Sequence, residues 1–124
     1  MITLDYETVV EDVQEIVAGN EDYIYVNPHG EIAGVDKGLA CYYFSPETGE
    51  PSCIVGHLFA KHGIKYEDIK DSNTGFIMNA EREGNFLIDP PALSFLERVQ
   101  EYQDTGSTWA VSLQKGLSFE HGGF

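Results

Sequence analysis

Near the start of the chain, apolar residues recur at helical spacing. Val9, Val13 and Ile16 form one row, with Val10 and Val17 beside it. Intervals of three, four and seven turn one face of a helix toward a core. They predict an amphipathic helix from about Asp5 to Ala18. Thr8 followed by Glu11 fits a capping box, and Thr3 offers an earlier start. Gly19 and Asn20 supply the stop.

The rhythm then changes. Tyr23-Ile24-Tyr25-Val26 is a β-prone run closed by the turn residues Asn27-Pro28-His29-Gly30. Gly30, Gly34 and Gly38 punctuate a loop with room for a short strand near Ile32, and Leu39 to Phe44 is the second β-prone run. No crossover helix fits between the two runs, so they are expected to pair antiparallel. Pro51 is expected to open a second helix reaching about His62, with Ile54, Val55, Leu58 and Phe59 on its apolar face. Gly63 followed by Ile64 fits a Schellman stop. Tyr66 to Ile69 reads as one more helical turn, whereas residues 76–88 are ambiguous.

Asp89-Pro90-Pro91 is a strong helix start, and Leu93, Leu96, Val99 and Tyr102 or Gln103 continue an inward stripe to about Asp104. Ser107 or Thr108 caps a last helix through about Lys115 that presents Trp109 and Leu113. The expected fold class is α+β, with about four helices packed around a small antiparallel sheet. A length of 124 residues fits one domain, placed at residues 1–119 and followed by a frayed tail over 120–124.

Composition narrows the class. With 42% hydrophobic and 12% aromatic residues, the chain is too apolar to be disordered. It has 21 acidic and 7 basic residues, a formal net charge of −14. Nucleic-acid affinity comes mainly from Lys and Arg, so direct nucleic-acid binding is not expected, nor is an anionic membrane surface as partner. Met1 to Tyr6 lacks a signal-peptide pattern, and no stretch is long and apolar enough for a membrane span. Two cysteines do not make a secreted disulfide framework, and the expected location is the cytoplasm.

Two stretches carry a resemblance. One is Cys41-Tyr42-Tyr43 followed by Gly49-Glu50-Pro51-Ser52-Cys53-Ile54-Val55-Gly56-His57-Leu58. The other is Val99-Gln100-Glu101-Tyr102-Gln103-Asp104-Thr105-Gly106-Ser107-Thr108-Trp109-Ala110-Val111. In order and spacing the pair resembles small proteins of actinobacteriophages and actinobacteria. The resemblance implies a phage or actinobacterial origin and a short accessory protein; it supplies no activity. Both stretches also read as fold determinants: Gly56 suits a close helix contact, and Trp109 is a large core residue after a turn.

Candidate chemistry centres on Cys41, Cys53, His57 and His62. Cys53 and His57 are four apart and share a helix face, a spacing that suits zinc, with Cys41 approaching from the strand. His62 lies on another face, so the set is short of four ligands. In a first helical turn, Cys53 would have its thiolate favoured, and with His57 would form a Cys/His nucleophile. The competing reading is two cysteines packed as small apolar residues. No phosphate-binding glycine loop or serine nucleophile motif is present. Neither catalysis nor a cofactor is expected.

Charge is distributed unevenly. Nine acids, Asp5 through Asp36, precede Lys37, the first base. Glu7, Glu11 and Glu15 line one stripe of the first helix, with Asp12 nearby. Like charges four apart cost a few tenths of a kcal/mol per pair, roughly. The stripe reads either as a solvated face or as a surface that steers a basic protein partner. Tyr6, Tyr23 or Tyr25 are expected to add aromatic contact. A special case is DNA mimicry, since four helical residues rise about 6 Å, similar to the phosphate spacing along a strand. The oligomeric state is open.

Overall fold

The computed structural model describes residues 2–26 and 42–120, without the side chains of 119 and 120. Its elements are β1 (Thr3–Leu4), α1 (Tyr6–Val17), α2 (Ile54–Lys61), α3 (Ile77–Gly84), β2 (Leu87–Ile88), α4 (Pro90–Asp104) and α5 (Trp109–Glu120). Two short 3-10 turns, Tyr66–Asp68 and Lys70–Ser72, lie between α2 and α3. Helices α4 and α5 make the most extensive helix pair, and α1 packs against α2, α4 and α5.

The expected antiparallel sheet is overturned. Five helices dominate, and the one sheet among the described residues is a two-stranded parallel pair, Thr3 opposite Leu87 and Leu4 opposite Ile88. The two β-prone runs find other partners. Ile24 bridges Thr108, and the carbonyls of Glu21 and Tyr23 accept the N–H groups of Ala110 and Trp109. Tyr23 and the turn before it thereby satisfy donors that the first turn of α5 cannot satisfy itself. In the second run, Tyr43 N–H donates to the Asn73 carbonyl, while the buried Asn73 side chain both accepts from Phe44 N–H and donates to its carbonyl. An asparagine amide stands where a neighbouring strand was expected. Residues 27–41, including the glycine loop and the strand placed near Ile32, lie outside the described residues.

Helix α1 begins where its pattern placed it. Asp5 is the N-cap and accepts from Thr8 N–H at 2.8 Å, in place of the Thr8–Glu11 box. Helix α2 starts three residues later than expected, because Pro51 is held in an antiparallel bridge to Phe44. Gly63 has φ +81°, and Ile64 N–H reaches the Phe59 carbonyl, which completes the Schellman stop. The ambiguous segment resolves into α3 and β2, separated by Asn85 in the left-handed region. Helix α5 continues past Lys115 to Glu120.

The core is one cluster. Val9 and Val13 of α1 meet Leu58 and Phe59 of α2, Phe95, Leu96 and Val99 of α4, and Trp109 of α5. Burying a side chain of this size is worth about 1.5–3 kcal/mol. Gly56 lets α2 approach the Tyr43 backbone so closely that a Cβ there would lie 1.8 Å from the Tyr43 carbonyl oxygen. Among the described residues, no helix is long and apolar enough to cross a membrane.

Candidate functional site

Helix α1 presents its two faces differently. Glu7, Glu11 and Glu15 are exposed, whereas Asp12 is buried beside Val13. Asp12 therefore leaves the outward acidic stripe. Its Oδ2 lies 2.6 Å from Nε2 of His62, at the C-terminal end of α2. A second link joins the same helices at the surface, Lys61 Nζ to Glu15 at 3.1 Å. Glu7 and Glu11 have no ion-pair partner among the described residues. The neighbouring cap Asp5 is held below the ordinary carboxylate value by hydrogen bonds from the backbone and hydroxyl of Thr8.

The aromatic residues expected on this surface separate. Tyr25 is wholly buried and its hydroxyl accepts from Tyr42 N–H, so it is no contact residue. Tyr6 is partly buried edge-on to Phe95. Tyr23 remains exposed, its ring edge-on to Trp109 at 4.8 Å.

The cysteine and histidine set is not assembled among the described residues. Cys53 is the N-cap of α2, one position before the first turn, and is fully buried. His57 is half-buried and faces Trp109, ring centroids 5.7 Å apart. Burial holds its imidazole below the ordinary 6.5, so it is neutral at pH 7. His62 is taken by Asp12. No three His, Cys, Asp or Glu side chains among the described residues group as metal ligands, and Cys41 lies outside those residues.

What the fold does bring together is the two resembling stretches. Gln103 is buried, and its Oε1 accepts the Ile54 N–H at 3.0 Å. It supplies from the second stretch the cap that Cys53 does not provide. Gln103 Nε2 donates to Asp104 Oδ1 at 2.9 Å. Asp104 is nonetheless pushed up to about 6, because burial outweighs that hydrogen bond. The sequence carried a signal for this cap, a polar residue in the apolar row of α4, but nothing that named its target.

A cavity of about 330 Å³ opens at the same junction. Pro51, Ser52 and His57 line it from the first stretch and Trp109 from the second. Ile16, Asn20 and Tyr23 close it from the end of α1 and the segment beyond. The Trp109 indole N–H is buried with no hydrogen-bond partner among the described residues.

No protein-family profile matches the chain, and no solved structure matches it. Among curated proteins it is similar to plant asparagine synthetases of the glutamine-hydrolysing type. It is 30% identical to one from Brassica oleracea over 102 residues, which cover 79% of this chain and 17% of that protein. It is 31% identical to one from Lotus japonicus over 103 residues, 80% of this chain and 17% of that protein. An Arabidopsis thaliana protein is 28% identical over 103 residues, 80% and 17% of the two chains. The chain thus spans about a sixth of the length of the curated relatives it matches.

Proposed function

We propose that this is an acidic accessory protein that acts by binding a protein with a basic surface, through the outward face of α1. The observation that carries the reading is the pair Glu7 and Glu11. They stand one turn apart, exposed, without an ion-pair partner among the described residues, on a chain of net charge −14. Like charges at that spacing repel by a few tenths of a kcal/mol, roughly, and an exposed acidic face of this kind raises the rate of encounter with a basic surface. Glu15 contributes less, because Lys61 already faces it. The resemblance to small proteins of actinobacteriophages and actinobacteria fits an accessory role in a phage-encoded or actinobacterial setting.

The test is capture of partners from an actinobacterial lysate at low and high salt. The Glu7→Lys/Glu11→Lys variant is expected to fold normally and to lose the salt-sensitive partner. Unchanged capture by that variant would overturn the reading. Competition by duplex DNA for the captured protein would identify the DNA-mimic form of the same reading.

The likeness to asparagine synthetases favours a second reading, in which the chain is the counterpart of one segment of such an enzyme. Amide hydrolysis needs an accessible, activated nucleophile. Cys53 is fully buried and does not meet that need, so among the described residues no cysteine supplies such a nucleophile, and the second reading makes the described part of the chain a structural segment. Release of ammonia from glutamine by the purified chain would favour a catalytic role instead.

A further inference from the structure

Strand β2 has two sides, and only one of them faces β1. Backbone groups of successive strand residues point alternately to the two sides. The N–H groups of Leu87 and Asp89 turn inward, to the carbonyls of Ile2 and Leu4. Those of Phe86 and Ile88 therefore turn outward, and both end on one residue. The Glu81 carbonyl accepts from Phe86 at 3.2 Å, and the Glu81 carboxylate accepts from Ile88 at 2.6 Å. The next outward position is Pro90, which has no N–H. From Phe86 to Pro90, the outer side of β2 has no donor left for another strand.

The first and last of these closures are made by the backbone. The middle one is a side chain. Glu81 lies in α3, and Asn85, with φ 55°, turns the chain so that β2 returns past it. A hydrogen bond to an ionised carboxylate is about twice as strong as one between neutral groups. A strand added on this side would have to displace that carboxylate from Ile88. Charged side chains set on an edge strand block such additions.

The surface beside the edge is one that another strand would otherwise favour. Leu87 and Met78 are about half exposed. With Glu81, Arg82, Asn85 and Phe86 they line a cavity of about 300 Å³. An open strand edge with apolar neighbours is a template for pairing. In a two-fold pair the same patch serves both partners, so a second copy of the chain needs no surface beyond this one. Edge to edge, Leu87 of one copy would cover Leu87 of the other. We propose that the Glu81 carboxylate guards the outer edge of β2, and that without it a second copy of this chain pairs there. The device is independent of the acidic face of α1.

The test compares the full wild-type chain with Glu81→Ala and Glu81→Gln. Ala is the best helix former, and Gln keeps the shape of Glu without its charge. Amide hydrogen exchange is read at Ile88 and, as a report on the whole fold, at Leu96 in the core. Sedimentation is run from micromolar to millimolar protein at high salt, which screens the net charge of −14. Wild type is expected to protect Ile88 and to stay monomeric. In dilute Glu81→Ala, exchange at Ile88 is expected to rise about tenfold or more relative to Leu96. On concentration that variant is expected to dimerise and to regain protection at Ile88. Glu81→Gln is expected to move in the same direction by less, and it carries the test if Leu96 shows that Ala loosens the whole fold. Adding Leu87→Lys to either variant is expected to abolish the dimer. Four outcomes overturn the proposal: exchange at Ile88 that neither variant accelerates, faster exchange without association, association that Leu87→Lys does not weaken, or wild type that pairs as strongly as the variants.

Discussion

The side chain of Gln103 caps a helix to which it does not belong: its Oε1 accepts the N–H of Ile54, at the start of α2, at 3.0 Å. The two residues are 49 positions apart, and the bond is buried. Replacing Gln103 by Leu keeps the volume close to native and leaves the Ile54 N–H without its acceptor. An unsatisfied buried donor costs about 1–3 kcal/mol. Urea unfolding of Gln103→Leu should therefore show a lower midpoint with an unchanged slope. A midpoint equal to wild type would mean that water or another carbonyl takes over the cap.

Next to that cap, Asp104 makes stability depend on pH. Its carboxyl is raised from 3.8 to about 6 in the folded chain, so the native state holds the proton more tightly than the unfolded chain. The stability it contributes is complete below the unfolded value and is lost as pH rises through about 6. Asp104→Asn should be more stable than wild type at pH 7, on the order of 2 kcal/mol. The difference should shrink below about pH 6 and vanish near pH 4, roughly. Thermal unfolding of both proteins across that range checks it. A constant difference would assign the effect to packing instead of charge.

Two links between α1 and α2 allow a direct comparison of buried and exposed pairs. Asp12 and His62 meet at 2.6 Å in a largely buried setting, and Glu15 and Lys61 at 3.1 Å in an exposed one. Double-mutant cycles with alanine should give a coupling of about 1–3 kcal/mol for the first pair and about 0.5 kcal/mol or less for the second. Added salt should erase the second coupling and reduce the first only slightly. Equal couplings would show that burial does not distinguish the pairs.

Two glycines separate rigid from yielding contacts. A Cβ on Gly56 would meet the backbone oxygen of Tyr43, which cannot rotate away. A Cβ on Gly116 would lie 2.7 Å from Val99 Cγ2, a side-chain atom with some freedom to shift. Gly56→Ala should lower stability by about 3 kcal/mol or more, and Gly116→Ala by about 1–2 kcal/mol. Denaturant midpoints of the two variants decide the order, and the reverse order would contradict the packing described.

Helices were legible in the sequence where a local pattern carried them. The Val9, Val13 and Ile16 row, the Asp89-Pro90-Pro91 start and the Gly63-Ile64 stop each contain their own instruction. Asp89 is an N-cap by position, although its side chain makes no capping bond. What the pattern could not carry was long-range pairing. Tyr23 to Val26 has strand chemistry, but the Tyr23 carbonyl goes to the start of α5 and Ile24 bridges Thr108. The strands among the described residues hold two residues each, too few for alternation to register. For the site, the stripe of Glu7, Glu11 and Glu15 was legible because helical spacing dictates it. Asp12 was misplaced because burial of a carboxylate depends on His62, fifty residues away. His57, expected to face Cys53 as a metal ligand or base, lies beside Trp109, because helical spacing does not say which ring of another element packs there.

The parallel pair of β1 and β2 sets an order of events for folding. Thr3 and Leu87 are more than eighty residues apart, and Leu87 N–H bonds to the Ile2 carbonyl. Helices α1 and α2 can begin from nearby contacts, but closing that long loop requires synthesis to pass Ile88. On a ribosome, the strand made first is the strand that waits longest for its partner. Until residue 88 emerges, Thr3 and Leu4 present an unpaired edge.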